Sequence, residues 1–317
     1  MHSPEYIDLI YREASALGMT VRYYADNWAI EIALGNSKQF IVGYTFPLND
    51  SACYKIIRNK NLCSEILAAR GVPCVPHDVI YSPAHLEKHG NDNGNFLNIN
   101  KFIKKYGFPI LVKKNNSTKG EGVHLLQNAS QLERTLAQLY TTEAAFCISP
   151  YRKNIREYRW IVLDAECLLG YEKHIPSVIG DGKRTVVELL SAYVVENPQL
   201  KNKKGKLFDP LSIKKMTDVP VCGEIIPLQW KHNRLIGSSY SLVERDDMAT
   251  LALNAATAVN ARFVTVDIVE SPECGIEVLE INASVGLHFT FAESGSDNYQ
   301  LAASVYRKAL KKIFNLN

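Results

Sequence analysis

Near the end of the 317-residue chain, two carboxylates stand inside apolar runs that alternate with a period of two. Phe263-Val264-Thr265-Val266-Asp267-Ile268-Val269 and Ile276-Glu277-Val278-Leu279-Glu280-Ile281-Asn282 read as paired strands. Alternation puts Glu280 and Asn282 on one face and turns Leu279 and Ile281 to the other. A hairpin through residues 270–275, centred near Glu273, sets Asp267 across from Glu280. Opposed carboxylates repel unless a cation compensates them. Two carboxylates and an amide are hard oxygen donors of the kind that hold Mg²⁺ beside phosphates. The plain alternative is that both acids sit on a solvated face and never meet.

A second group of residues suits anions. Phe108-Pro109-Ile110-Leu111-Val112-Lys113 reads as a strand, and a loop with Lys119-Gly120-Glu121-Gly122 leads to another, Val123-His124-Leu125-Leu126. Glycines let backbone N–H groups approach phosphate oxygens, and lysines add point charge. The loop is not a P-loop, because no Gly-Lys-Ser/Thr follows and no helix starts there. It reads equally as a hairpin made soluble by basic residues. Further on, Glu157 and Arg159 share one face of a strand start, where a carboxylate suits ribose hydroxyls and a guanidinium suits phosphate. Pairing with each other across the strand surface is the commoner fate of such charges.

The elements that must position these groups follow from periodicity and capping. A helix is expected at 4–17, a hairpin over 28–42 and a helix from Lys60 to Arg70 closed by Gly71. Residues 88–100, rich in asparagine and glycine, read as an exposed loop. A helix starts at Ser130, Trp160 to Leu169 reads as one strand, and Thr185-Val186-Val187-Glu188 is a capping box. Residues 197–210 form a basic loop, followed by helices near 246–261 and 298–314. The pattern is α+β with much antiparallel sheet. Composition sets the frame: 46% hydrophobic and 22% charged residues, with 36 Lys and Arg against 33 Asp and Glu. That excludes dominant disorder and argues against a dedicated nucleic-acid binder, while leaving room for a local basic groove. No run approaches a membrane span and no signal sequence is apparent, so a cytoplasmic protein is expected. The seven cysteines never form a C-x-x-C pair and read as reduced, mostly buried thiols.

In order along the chain, Asn59-Lys60 with Gly71-Val72-Pro73, Phe108 to Lys113, Gly120-Glu121-Gly122-Val123, Glu157-Tyr158-Arg159, Gly180-Asp181-Gly182-Lys183-Arg184-Thr185-Val186-Val187-Glu188-Leu189, Thr265 to Val269, and Glu280-Ile281-Asn282-Ala283 resemble the ATP-grasp superfamily. The likeness is nearest to the ATP-grasp domain of cyanophycin synthetases and bifunctional glutathione synthetases, and covers about residues 60–295. It implies two antiparallel-sheet lobes clasping ATP, preceded by a small mixed N-terminal domain: residues 1–100, then a small lobe at 101–155 and a large lobe at 156–317. It implies a carboxylate–amine ligase working through an acyl phosphate. ATP and Mg²⁺, or Mn²⁺, are then the cofactors, and amino acids or peptides the substrates. No nucleic acid or membrane partner is implied, and a homodimer is left open.

Carried over by position, Asp267, Glu280 and Asn282 hold the metal. Lys60, Lys113, Gly120, Glu121, Gly122, Ser149, Tyr151 and Glu157 bind the nucleotide, and Arg159, Lys173 and His174 serve catalysis. Lys173-His174-Ile175-Pro176 stands where the family often has an arginine before an Ile/Val-Pro pair. The hinge Ile148-Ser149-Pro150-Tyr151-Arg152 lacks the family's usual acid, and Ser284 to Phe289 lacks its common proline. The basic loop reads as a solvated segment or as a guide for an acidic peptide. Rival readings are a nucleotide-binding regulatory module without ligase activity and an ATP-grasp kinase.

Overall fold

The first segment obeys its periodicities. Tyr6, Leu9, Ile10 and Ala14 recur at helical spacing along α1 (Pro4–Ala16), and all four are buried. Strands β1 (Thr20–Tyr24), β2 (Ala29–Leu34) and β3 (Ser37–Val42) form an antiparallel sheet in that order. Ile30, Ile32 and Ile41 join the same buried cluster as α1. In the computed structural model, the described residues are 4–89, 95–115, 122–153, 155–197, 216–228, 239–287 and 297–316. Two short helices follow, α2 (Ser51–Arg58) and α3 (Lys60–Ala69). Asn59 ends the first and caps the second, its side chain accepting from the Leu62 amide.

The small lobe begins at β4 (Asp78–Tyr81), followed by α4 (Pro83–His89) and α5 (Phe96–Tyr106). β5 (Ile110–Lys114), β6 (His124–Leu126), α6 (Ala129–Leu139) and β7 (Ala145–Pro150) complete it. Its sheet runs β4-β7-β5-β6, antiparallel throughout. Ile80, Phe102, Ile110, Val112, Leu132, Phe146 and Ile148 form its core. The lobe thus takes in residues 78–106, earlier than the boundary expected at 100. The loop expected over 88–100 gives way to α5 at Phe96, because Asn95 accepts from the Asn98 amide and acts as a helix cap.

The large lobe contains β8 (Arg156–Leu163), β9 (Glu166–His174), β10 (Ser177–Ile179), α7 (Val186–Glu196), β11 (Ile225–Pro227), β12 (Ser239–Leu242), α8 (Asp246–Ala258), β13 (Phe263–Ser271), β14 (Gly275–Asn282) and α9 (Asp297–Ile313). Its main sheet runs β12-β9-β8-β13-β14. The single strand expected over 160–169 is a hairpin instead. Asp164 takes a left-handed conformation, φ 51°, which aspartate tolerates, and the chain reverses there. The Thr185–Glu188 capping box is present as expected at the start of α7. Most of the basic loop, residues 198–210, lies outside the described residues.

One face of the main sheet packs on α2, α3 and α8 through Trp160, Val162, Val264, Val266 and Ile268. The opposite side shares a core with the first segment and with α9, where Tyr6 and Phe46 both meet the Tyr306 ring and Arg307 donates to Glu13. Among the described residues, no helix is long and apolar enough to cross a membrane.

Two tests follow from this packing. Gly170 stands opposite Trp160 on the neighbouring strand, and a Cβ there would lie 2.6 Å from the indole. Gly170→Ala is expected to cost about 1–3 kcal/mol in urea denaturation; an unchanged midpoint would refute the contact. Cys222 and Cys274 are exposed, whereas Cys53, Cys63 and Cys147 are buried, and burial pushes their thiols up to about 11, 12 and 11. Ellman's reagent should therefore modify two thiols promptly in the native protein and all seven after unfolding.

Candidate functional site

The geometry of the hairpin β13–β14 builds the site. From the turn, Ser271 pairs with Gly275, Glu270 with Ile276, Val269 with Glu277 and Ile268 with Val278. Continued regularly, that register would set Asp267 opposite Leu279. A bulge intervenes, so that Asp267 pairs with Glu280 and Thr265 with Asn282. On its other side Asp267 stands opposite Arg159 of β8, and Glu157 stands opposite Lys173 of β9.

The cations that a pair of opposed carboxylates requires are therefore on the adjacent strands. Arg159 grips Asp267 with two hydrogen bonds, from Nε and Nη2, each 2.6 Å. Lys173 Nζ donates to Asp267 Oδ1 at 3.0 Å and to Glu157 Oε1 at 2.5 Å. Asn282 Nδ2 donates to Glu280 Oε1 at 3.1 Å and lies 3.5 Å from Asp267 Oδ2. Asp267 is only 1% exposed. Burial works to raise its pKa, but Arg159 and Lys173 outweigh burial and hold the carboxyl below its ordinary value. The lysine is governed by the mirror-image balance: burial and Arg159 lower Lys173, while Asp267 and Glu157 raise it, with a net upward shift.

The small lobe contributes from the face opposite its core. Lys113 and Ser149 alternate with the core residues Val112 and Ile148, so both are directed away from that core. Ser149 is 1% exposed and Lys113 is 7% exposed. Lys113 makes no ion pair with any described residue, an unusual state for a buried ammonium. Lys60, at the first turn of α3, lies close enough to both lobes to feel them: burial and Lys113 lower its pKa, and Glu280 raises it. Two lysines and Glu280 thus converge where the lobes meet. Asn115, just past the end of β5, ties that strand to α3 by donating to Asn59 Oδ1 at 3.0 Å and accepting from the Asn61 amide at 3.4 Å.

Most of the residues expected at the site are gathered in this way. Tyr151 follows β7 and spends its amide on the Pro109 carbonyl. Gly122 has a positive φ of 66°, and Gly120 and Glu121 lie outside the described residues. His174 is not brought to the others. Strand alternation turns it to the side opposite Lys173, where Nε2 lies 2.8 Å from Ser241 Oγ of β12 and Nδ1 lies 3.7 Å from Glu172. The sequence reading noted Asn59 only as the neighbour of Lys60 and did not mark Asn61 or Asn115, whose spacing carries no motif. It also overlooked Thr265, whose buried hydroxyl has no partner among the described residues and stands across from Asn282.

With the geometry in place, comparisons with known proteins add the fold. No family model matches the chain. The bifunctional glutathione biosynthesis protein GshAB of Streptococcus agalactiae is 26% identical over 95 residues, which is 29% of this chain and 12% of that protein. Among solved structures, a bifunctional glutathione synthetase from Pasteurella multocida superposes with a TM-score of 0.54 at 15% identity. It covers 95% of this chain, but the chain spans only 43% of that protein. A D-alanine–D-alanine ligase from Bacillus anthracis gives 0.52 at 15% identity, covering 84% of this chain and 69% of its own. Two antiparallel lobes facing one another across a charged cleft, and the superposition with these structures, establish that the chain has the ATP-grasp fold.

Proposed function

We propose that the protein is an ATP-dependent carboxylate–amine ligase acting on amino acids or peptides. The observation that carries this reading is the charge of the cleft. Four cations, Lys60, Lys113, Arg159 and Lys173, face three carboxylates, Glu157, Asp267 and Glu280. A buried ammonium that has no anion among the described residues, as at Lys113, gains from a ligand that supplies the charge, and a polyphosphate does so. The structural neighbours include a glutathione synthetase and a D-alanine–D-alanine ligase, whose names describe the joining of amino acids.

In this reading Lys60 and Lys113 neutralise phosphate oxygens, and the buried face bearing Ser149 receives the base. Asp267, Glu280 and Asn282 supply carboxylate and amide oxygens, a donor set that fits Mg²⁺ in kind. When bound, that ion would offset charge on the phosphates. Arg159 and Lys173 already hold Asp267 in position and fix its ionisation. The reaction needs activation because a carboxylate is a poor electrophile. A substrate carboxylate oxygen attacks the γ-phosphorus and ADP leaves. The amine nitrogen then attacks the acyl carbon of the acyl phosphate, phosphate departs, and the nitrogen loses a proton. Positioning and charge neutralisation carry most of the catalytic burden in such steps.

The decisive assay incubates the protein with ATP, Mg²⁺ and a pool of amino acids and dipeptides, then seeks by mass spectrometry a product equal to two substrates less water, together with ADP. Glu280→Ala should reduce condensation by on the order of 100-fold, as loss of one charge-stabilising group does elsewhere. AMP as the sole nucleotide product would exclude the acyl phosphate, and a phosphorylated product in place of an amide would favour a kinase.

A second test concerns Asp267. Its depressed pKa stabilises the fold at pH values above the ordinary carboxylate range, and this contribution fades as pH falls through its native value. Asp267→Asn leaves Arg159 and Lys173 without their shared partner and should cost about 3–5 kcal/mol at pH 7. Below about pH 4, the wild type should lose stability with acid more steeply than the variant. Parallel acid limbs in guanidinium titrations would contradict the assignment.

A further inference from the structure

Two stretches of chain connect the lobes, and both are fastened to neighbouring residues of one strand. The first, between α3 and β4, is stitched to β14 by its backbone: the Val75 amide donates to the Val278 carbonyl and the Val278 amide donates to the Pro73 carbonyl, each at 2.9 Å. The second follows β7. There Arg152 reaches across to Glu277 of β14 with a bidentate bond, Nε to Oε2 at 2.8 Å and Nη2 to Oε1 at 2.9 Å. The two side chains are 16% and 12% exposed, so water screens the pair weakly. Planar guanidinium–carboxylate contacts fix orientation as well as distance.

β14 is also the strand that carries Glu280 and Asn282. Glu277 stands three residues from Glu280 across the bulge, and their β13 partners Val269 and Asp267 are two residues apart, about 7 Å along a strand. Arg152 stands two residues past the end of β7, whose Cys147 is the direct cross-strand partner of Lys113. The pair therefore joins the strand that carries Glu280 to the chain just past the strand that is paired with Lys113. Neither Arg152 nor Glu277 belongs to the nucleotide, metal or catalytic set assigned above.

Resting on the ligase reading for its nucleotide, we propose that Arg152 and Glu277 are positioning residues that fix the opening between the lobes, so that Lys113 and Glu280 meet one polyphosphate. The pair acts through the spacing of the sheets and touches no reacting atom. Its removal frees the second connection while the first stays stitched, so the lobes swing about the 73–75 segment.

The test compares Arg152→Gln, the neutral double variant R152Q/E277Q and the reversed pair R152E/E277R with the wild type. Affinity for the non-hydrolysable analogue AMP-PNP with Mg²⁺ is measured by calorimetry. Amide hydrogen exchange at residues 72–78 and 151–153 is followed in ligand-free protein, and unfolding midpoints are recorded. Arg152→Gln and the neutral double variant should bind the analogue about 10- to 100-fold more weakly, the scale of effect expected of a misplaced site. Both should exchange faster at the two connections. The double variant should nevertheless keep its unfolding midpoint, since exchanging a buried ion pair for a neutral pair is close to neutral for stability. The reversed pair should recover affinity to within about threefold of wild type. Wild-type affinity and exchange in the double variant would overturn the proposal, as would a folded reversed pair that recovers neither. If the wild type itself ignores AMP-PNP, the ligase reading falls, and the exchange rates alone then decide whether the pair sets the lobe opening.

Discussion

One surplus residue in β14 decides what the large lobe can present. The turn between β13 and β14 pairs Ser271 with Gly275, and a regular ladder from that point would oppose Asp267 with an apolar leucine. The bulge at Leu279 shifts the register so that Glu280 and Asn282 arrive beside the buried Asp267. Because side chains alternate with a period of two, a slip of one residue exchanges the faces of everything beyond it. The bulge therefore leaves the four residues near the turn in one register and assigns the remainder to another. Val278, on the turn side, also receives the first connection between the lobes, so the same strand anchors the hinge and the charged cleft.

The second constraint is charge. Burying Asp267 beside a further carboxylate is affordable only because Arg159 and Lys173 stand on the next two strands, and their spacing follows from the pairing of β8 with β13 and β9. Around Asp267 the charges balance locally. At Lys60, burial and Lys113 act against the positive charge and Glu280 supports it.

Much of this was legible before any coordinates. Strict alternation over 263–282 specified the hairpin, and the opposition of Asp267 and Glu280 followed, although the reading needed a turn centre half a residue off where the structure uses a bulge. The strand that carries Lys113 is legible from Phe108 to Lys113 as well, and its core side is marked in the structure by Ile110 and Val112. Other features were hidden for physical reasons. The resemblance offers Lys173 and His174 alike in place of the family's arginine, and it is strand alternation that turns the two to opposite sides. The reversal at Asp164 depends on one residue's tolerance of a left-handed conformation, which leaves no trace in hydrophobic pattern. Asn95 turned a loop into a helix start by capping, and asparagine-rich sequence conceals caps well. Long-range ties such as Asn115 to Asn59, or Arg152 to Glu277, join residues whose separation in sequence gives no period to detect.

The core shared by α1 and α9 bears on how the chain comes to be folded at all. Tyr6, Leu9 and Ile10 are buried against residues that follow them by nearly the whole length of the protein. During synthesis at roughly 5–20 residues per second, α1 emerges about a quarter of a minute to a minute before α9 exists to cover it. For that interval its apolar stripe has the β1–β3 sheet and then the main sheet as partners, but not α9. α1 is thus made well before the core it joins can be fully enclosed, and the window belongs to whatever in the cell shields nascent hydrophobic surface.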